Sequence, residues 1–257
     1  PWNPDADDTV WALALSGSLL YLSSAAGGLI ILDVSDPGEP VELGRYPAAG
    51  LIDVSVSGTF AYLAEREQGM TVVDVSDPTR PTRFADLPFP GISALTVSGH
   101  HAYLVGSSGL QVVHILIQGR SVPIASVDTG GKAFGISVSG TRAYVSCHDE
   151  GVRVVDVSNP GALGDGAVVD SWAEEYALAV EVSDSTAVVA KGRRGLSILD
   201  LAGGARRTGS YYTGGTAHRC VAHSNLLFVA DGGEGMKILH MGPSSDPVEV
   251  GVLGGED

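Results

Sequence analysis

The residue types best suited to acid–base chemistry stand together in one short segment, His148-Asp149-Glu150. An imidazole and a carboxylate could act as general acid and base. Histidine and carboxylates also suit several divalent metal ions. Neighbouring residues in a strand or turn point in different directions, so the segment predicts no metal site. Glu175 and His218 are the other two catalytic candidates.

A second set of residues could bind a ligand, because aromatic and charged side chains together can form the walls and polar contacts of a binding site. The ligand-binding candidates are Trp11, Asp53, Arg66, Phe134, Tyr176, Arg193, Tyr212 and Arg219. No nucleophile elbow, phosphate loop, cysteine pair or zinc signature accompanies them. The sequence therefore predicts no cofactor, and the residue types alone identify no reaction.

An internal repeat indicates how these residues are positioned. The strings GLIILDVSDP, GMTVVDVSDP and GVRVVDVSNP begin at residues 28, 69 and 151, and weaker copies begin at 109, 195 and 235. The leading glycines are therefore separated by 41, 40, 42, 44 and 40 residues. Self-similarity at such a period is typical of repeat architectures.

Each copy contains short apolar runs that read as strands. In the second copy they are residues 52–57, 59–64, 70–75 and 82–87, bounded by Gly, Pro, Ser and Asp. Four antiparallel strands in about 41 residues are the signature of a propeller blade. We therefore predict an all-β fold, a six-bladed β-propeller in one domain. After a tail at 1–9, the expected blades are 10–50, 51–91, 92–132, 133–176, 177–216 and 217–257.

The segments around Val-Val-Asp-Val-Ser-Asp-Pro resemble the LVIVD-repeat family of bacterial and archaeal propellers. The resemblance covers nearly the whole chain and is strongest in the first, second and fourth copies. It implies the same propeller fold, and it favours an exported protein at the cell surface, in the periplasm or outside the cell. A cytoplasmic location stays open. The family mostly lacks an assigned activity, so the resemblance supplies no catalytic residues.

The strand order assigns the connecting loops to two faces. The incoming loop before each first strand and the loop between the second and third strands open on one face, and we call these the top loops. The opposite hairpins repeat Ser-Gly in four copies, whereas the top loops differ and contain the candidates named above. Because function tends to lie in variable loops on a common scaffold, we predict that the top loops around a central channel carry the activity.

An aspartate recurs at the end of the third strand, as Asp33, Asp74, Asp156 and Asp200. A carboxylate present in blade after blade is better explained by local structure than by catalysis. We predict that each one accepts hydrogen bonds within its own turn. The two cysteines, Cys147 and Cys220, are expected to lie too far apart for a disulfide.

Charge and composition restrict the partners. The chain of 257 residues has 15 basic and 30 acidic residues, a net charge of −15. A nucleic-acid binder needs a basic surface, so that role is disfavoured. No apolar run approaches the roughly 20 residues that cross a bilayer, so no membrane insertion is expected.

Two functions remain open from the sequence. One is a binding propeller that takes a protein or small-molecule ligand on the top face. The alternative is an enzyme, a hydrolase, lyase or isomerase/cyclase, with an acid–base pocket formed by His148, Glu175 and His218. The oligomeric state is open in both cases.

Overall fold

The computed structural model describes residues 10–253 except 25, 37–38, 116–120, 165, 203, 224 and 243–245. The predicted tail at 1–9 and the last four residues of the sixth blade lie outside this part of the chain. Within it, the only helical segments are two single 3-10 turns, at Pro160–Ala162 and Gly232–Glu234. No helix in the described ranges is long and apolar enough to span a membrane.

The strands form six sheets of four in chain order. The first three sheets contain β1 (Val10–Ser16), β2 (Leu19–Ser24), β3 (Gly28–Asp33), β4 (Val41–Tyr46); β5 (Leu51–Ser57), β6 (Phe60–Glu65), β7 (Gly69–Asp74), β8 (Thr82–Pro88); and β9 (Ile92–Ser98), β10 (His101–Gly106), β11 (Gly109–Ile115), β12 (Ser121–Val127). The strands of the second copy thus agree with the predicted runs to within one residue.

The other three sheets repeat the pattern with shorter strands. They contain β13 (Gly135–Ser139), β14 (Arg142–Ser146), β15 (Val152–Asp156), β16 (Val168–Trp172); β17 (Ala179–Ser183), β18 (Thr186–Ala190), β19 (Leu196–Asp200), β20 (Arg206–Tyr211); and β21 (Arg219–His223), β22 (Leu226–Ala230), β23 (Met236–His240), β24 (Val248–Leu253). In every sheet each strand is hydrogen-bonded to the strand that precedes or follows it in the sequence. The predicted fold class, a six-bladed β-propeller, is confirmed.

The chain divides into two compact units. The first comprises residues 1–107 and 111–125, and the second comprises residues 108–110 and 126–257. The first unit therefore contains the first two blades and most of the third, and the second unit contains the last three. We describe the two units separately.

Aliphatic side chains fill the contacts between neighbouring blades of each unit. In the first unit, Leu29 and Ile31 of the first blade pack with Leu51 and Leu63 of the second. In the second unit, Val152 and Val154 pack with Val180 and Val189, and the next contact is similar. The low aromatic content of the chain, 6%, is consistent with contacts supplied mainly by Val, Leu, Ile and Ala.

Polar side chains on the first strands tie neighbouring blades together. The Ser55 hydroxyl accepts the Val97 backbone N–H at 3.2 Å, and the Ser137 hydroxyl accepts that of Val182 at 3.2 Å. At the same repeat position in the fifth blade stands Glu181, whose carboxyl accepts the Ala222 N–H at 3.5 Å. Each bond satisfies a backbone donor of the next first strand, so this position serves the structure.

The leading glycine of the repeat has a steric explanation. Gly151 has a φ of +77°, and a Cβ there would lie 2.0 Å from the Trp172 carbonyl oxygen on the fourth strand. A Cβ added to the leading glycine at 28, 69, 109 or 195 would lie 2.1–2.4 Å from a fourth-strand carbonyl oxygen. A side chain is therefore excluded both by the backbone conformation and by the contact.

Replacing Gly151 by Ala should lower the free energy of unfolding by about 2 kcal/mol, because conformational strain and the backbone clash add. Gly140 is the matched control: its φ is +59° but nothing lies within 4 Å of its Cβ position. Gly140→Ala should cost only about 1 kcal/mol, the strain alone. Chemical denaturation measures both values, and equal losses would show that the contact is unimportant.

The recurring aspartates behave as predicted. The carboxylates of Asp33, Asp74, Asp156 and Asp200 accept the backbone N–H two residues ahead, at 2.8–2.9 Å. These bonds lower the pKa of Asp33, Asp74 and Asp156. The carboxylates therefore stabilise the turn that follows the third strand of each of these blades.

Candidate functional site

In the second unit, two kinds of top loop meet where the fourth blade adjoins the fifth. The second-to-third loop of the fourth blade pairs with the incoming loop of the fifth through the bridge between His148 and Ala177. The His148 N–H donates to the Ala177 carbonyl at 3.0 Å, and the Ala177 N–H donates back at 3.2 Å. Gly192 and Ala217 form the same bridge in the next blade. The repeat thus brings these loops together by backbone pairing.

Three aromatic rings and two cations line up on these loops. The ring centroid of His148 lies 5.5 Å from that of Phe134 and 5.2 Å from that of Tyr176. Lys132 Nζ lies 5.0 Å from the Phe134 centroid, and the Arg194 guanidinium lies 3.8 Å from the Tyr176 centroid. Aromatic contacts and cation–π contacts of this kind are both attractive. We call these five residues the aromatic row.

The backbone at the centre of the row is unusual. His148 has a φ of +50° and Tyr176 has a φ of +65°. The residues equivalent to His148 in the fifth and sixth blades, Gly192 and Gly232, also have positive φ, at 58° and 66°. The turn therefore requires a left-handed residue, and this blade has a histidine where its neighbours have glycine. A left-handed non-glycine residue is strained, and such strain concentrates at functional sites.

The row is accessible and is surrounded by charges of both signs. Tyr176 is 38% exposed, and the side chains of Arg194 and Glu175 are 54% and 70% exposed. The Arg194 guanidinium lies 3.6 Å from the Glu175 carboxylate. His148 Nδ1 lies 2.9 Å from the exposed Asp149 carboxylate. The row thus presents rings, cations and carboxylates to a ligand.

The three catalytic candidates do not form one constellation in the described chain. His148 contacts Asp149, Glu175 contacts Arg194, and no hydrogen bond or ion pair joins any two of His148, Glu175 and His218 in this part of the protein. The described residues also contain no group of three or more His, Cys, Asp or Glu placed to hold a metal.

The other ligand-binding candidates occupy different settings. In the second unit Tyr212 is 71% exposed, Arg193 is exposed and Arg219 is half-buried. In the first unit Trp11 is 43% exposed and Arg66 is exposed. Asp53 is only 5% exposed, and it accepts the backbone N–H of Val54 and of Leu95, both at 3.0 Å. Asp53 thus joins the second and third blades, and its binding role stays a prediction, as do the other assignments.

Cys147 is not in the environment of an activated thiol. It is 2% exposed, and burial raises the pKa of its thiol. Both Cys147 and Cys220 are free and buried.

Sequence reasoning missed Arg194, since it selected the adjacent Arg193 from the same loop. The sequence feature that could have identified Arg194 is its position directly before the leading glycine, Gly195. It missed Glu65 in the same way, by selecting Arg66. Glu65 is only 4% exposed, a burial that a loop sequence rich in charges does not reveal.

Comparison with known proteins agrees with the repeat and the fold. A family model for the LVIVD repeat matches residues 8–48, 52–84 and 130–164. The predicted resemblance is thereby confirmed. No curated protein matches the chain.

Several solved structures are similar in structure but distant in sequence. The chain is similar to the Cps50 (Swd1) β-propeller domain of Myceliophteria thermophila, with 10% identity, a TM-score of 0.69, and coverage of 95% of this chain and 87% of that chain. It is similar to Sqt1 of Saccharomyces cerevisiae, with 12% identity, a TM-score of 0.66, and coverage of 96% and 86%. A chain in a nidogen/laminin complex matches with 13% identity, a TM-score of 0.59, and coverage of 79% and 80%. These similarities show the fold alone.

Proposed function

We propose that this β-propeller, which carries LVIVD repeats, is an interaction module that binds a protein partner through the aromatic row. The row supports this because it combines exposed tyrosine and arginine with half-buried phenylalanine and histidine. Tyrosine, arginine and phenylalanine are enriched at protein interfaces. The strained backbone of His148 adds support, since a glycine at that position would fold with less strain.

A protein partner fits better than a nucleic acid. The net charge of −15 repels phosphate, and the cations of the row already contact aromatic rings. One of the similar structures is a chain from a nidogen/laminin complex, which is consistent with a propeller fold that takes part in protein binding. The alternative, an acid–base enzyme, has less support because two of its three candidate residues, His148 and Glu175, contact other groups.

The substitution His148→Gly tests this proposal. It removes the central ring and relieves the left-handed strain, so the free energy of unfolding should rise by about 1 kcal/mol. Partner binding should fall at least tenfold, because truncating an interface hot spot costs about 2 kcal/mol or more. The partner is first captured from the native source with the wild-type protein, and its affinity is then measured for each variant.

Thr59→Ala and Thr141→Ala, in two of the opposite hairpins, are the controls and should leave binding unchanged. Tyr176→Ser provides a second variant of the row and should also weaken binding. If both row variants bind the partner as tightly as the wild-type protein, the proposed interface is wrong. Turnover of a small molecule that His148→Gly abolishes would favour the enzyme instead.

We also propose that the protein works outside the cytoplasm. The support is the resemblance of its repeats to a family that is usually exported. Fractionation of the native source with an antibody to the chain should recover it from the periplasm, the cell surface or the medium. Recovery from the cytosol alone would contradict this.

A further inference from the structure

One position of the repeat carries a buried polar side chain that is partnered across blades in the second unit. It lies four residues before the leading glycine, at Cys147, Lys191 and Asp231. The Cys147 thiol donates a hydrogen bond to the Val145 carbonyl at 3.6 Å. It lies beside Thr129, whose hydroxyl opposes the burial that raises the thiol pKa. Lys191 Nζ contacts the Glu174 carboxylate at 2.8 Å, and the Asp231 carboxylate accepts the hydroxyl hydrogen of Thr213.

The three partners are themselves equivalent. Thr129, Glu174 and Thr213 each follow the fourth strand of the preceding blade. In each case, the residue two positions earlier has a backbone carbonyl that faces the leading glycine of that preceding blade. The connection between one blade and the next thus supplies the side chain that satisfies the buried group. Such pairing is needed because an unpaired polar group or charge is costly to bury.

The second blade breaks this rule. Its residue at the position is Glu65, which is 4% exposed, and the equivalent partner position is Ala48, which has no polar group. The Glu65 carboxylate makes no hydrogen bond or ion pair to any residue in the described ranges. Glu65 therefore lacks the side-chain partner that the equivalent residues of the second unit have.

A cavity of about 600 Å³ lies where the missing side chain would be. Its lining residues share the first unit and include Glu65, Ala48, Tyr46, Gln68, Thr71 and Arg83. Burial raises the pKa of Tyr46, and the charge of nearby Glu65 raises it further against the opposing effect of Arg83. The phenol, the amide and the hydroxyl are polar groups beside the carboxylate.

Arg83 interacts electrostatically with Glu65 but makes no hydrogen bond or ion pair with it. Its guanidinium makes two hydrogen bonds to the carboxylate of Asp86, one of them at 2.8 Å. The Thr71 hydroxyl also donates to Asp86, at 3.2 Å. Asp86 therefore holds the Arg83 guanidinium, and Glu65 is the one carboxylate among the described residues that line the cavity.

We propose that this cavity binds a primary ammonium group, with the Glu65 carboxylate as its charge partner. An ammonium carries one charge and three donors, and carboxylate, amide and hydroxyl oxygens line the cavity to accept them. The Tyr46 ring can add a cation–π contact. A divalent metal fits less well, because no group of three ligating side chains exists among the described residues. The site lies in the first unit, so it is separate from the proposed function of the aromatic row.

The ammonium can come from a small amine or from a lysine side chain, and the probes separate these sources. Butylammonium and Nα-acetyl-lysine methylamide are titrated into the protein and followed by NMR, with butanol and Nα-acetyl-norleucine methylamide as uncharged equivalents. We expect saturable binding of one or both charged probes and none of the uncharged ones. Binding of butylammonium alone would identify small amines as the source, and binding of both would include lysine side chains.

The substitution Glu65→Gln should weaken binding of the charged probe at least tenfold. Glu67→Gln removes the same charge from the exposed part of the same loop and should change the affinity less than twofold. Absence of saturable binding to the wild-type protein would overturn the proposal, and so would equal weakening by both variants.

Thermal melting gives an independent measurement. Without any amine, Glu65→Gln should melt at a higher temperature than the wild-type protein, because it removes the charge of a carboxylate that has no hydrogen bond or ion pair among the described residues. Butylammonium should raise the melting temperature of the wild-type protein and leave that of Glu65→Gln unchanged. A lower melting temperature for Glu65→Gln would show that the carboxylate has a structural partner and would overturn the proposal.

Discussion

Replacing Lys191 by Met is expected to lower the free energy of unfolding by about 3–5 kcal/mol. Lys191 Nζ lies 2.8 Å from the Glu174 carboxylate, and the two side chains are only 9% and 8% exposed. Removing the ammonium leaves a carboxylate that is buried and uncompensated. That penalty, more than the lost attraction, makes the effect large. Chemical denaturation at neutral pH measures it.

The double variant Lys191→Met with Glu174→Leu should recover most of the lost stability, because replacing both members of a buried pair by apolar residues is often neutral. Arg45→Met is the matched control. Its ion pair with Glu42 is as close, at 2.5 Å, but the side chains are 38% and 29% exposed. It should cost about 1 kcal/mol or less. A loss for Lys191→Met as small as that of the control would contradict the interpretation.

Glu181 should make the stability depend on pH between about 4.5 and 7. Burial raises its pKa from 4.5 to about 7, although hydrogen bonds from Ala222 and Ser137 oppose this. Below pH 4.5 both the folded and unfolded chains hold the proton, so nothing is lost. As pH rises toward 7, only the unfolded chain ionises, and stability falls by an amount on the order of 3 kcal/mol.

The substitution Glu181→Gln should remove this dependence. The variant should match the wild-type protein near pH 4 and exceed its free energy of unfolding at pH 8. The difference between the two proteins is the useful quantity, because the lowered pKa values of Asp33, Asp74 and Asp156 affect both alike at lower pH. Glu67→Gln should follow the wild-type curve. Parallel curves for Glu181→Gln and the wild-type protein would contradict this, because they would show that Glu181 has the same pKa in the folded and unfolded chains.

The repeat made the fold predictable. Leading glycines, short Val- and Ile-rich runs and Ser-Gly hairpins act within one blade, so each copy confirms the others. The turn aspartates were predictable for the same reason, since their hydrogen bonds reach only two residues ahead.

The site was predictable only in part, because it depends on departures from the repeat. His148 was recognised as a chemical group, but its left-handed backbone shows only by comparison with Gly192 and Gly232. The stacking of Arg194 rather than Arg193 on Tyr176 depends on which way each side chain leaves the loop. The isolation of Glu65 depends on Ala48, which lies 17 residues away in sequence. Such pairings are tertiary and leave no local signal.

Hydrogen exchange of the protein, alone and with its captured partner, tests the proposed interface most directly. We predict slower exchange, on binding, of peptides that cover residues 145–150, 173–178 and 191–195, which contain the central residues of the aromatic row. Peptides that cover the opposite hairpins at 57–60, 98–101 and 139–142 should exchange as in the free protein. Protection of the hairpins without protection of the aromatic row would contradict the account.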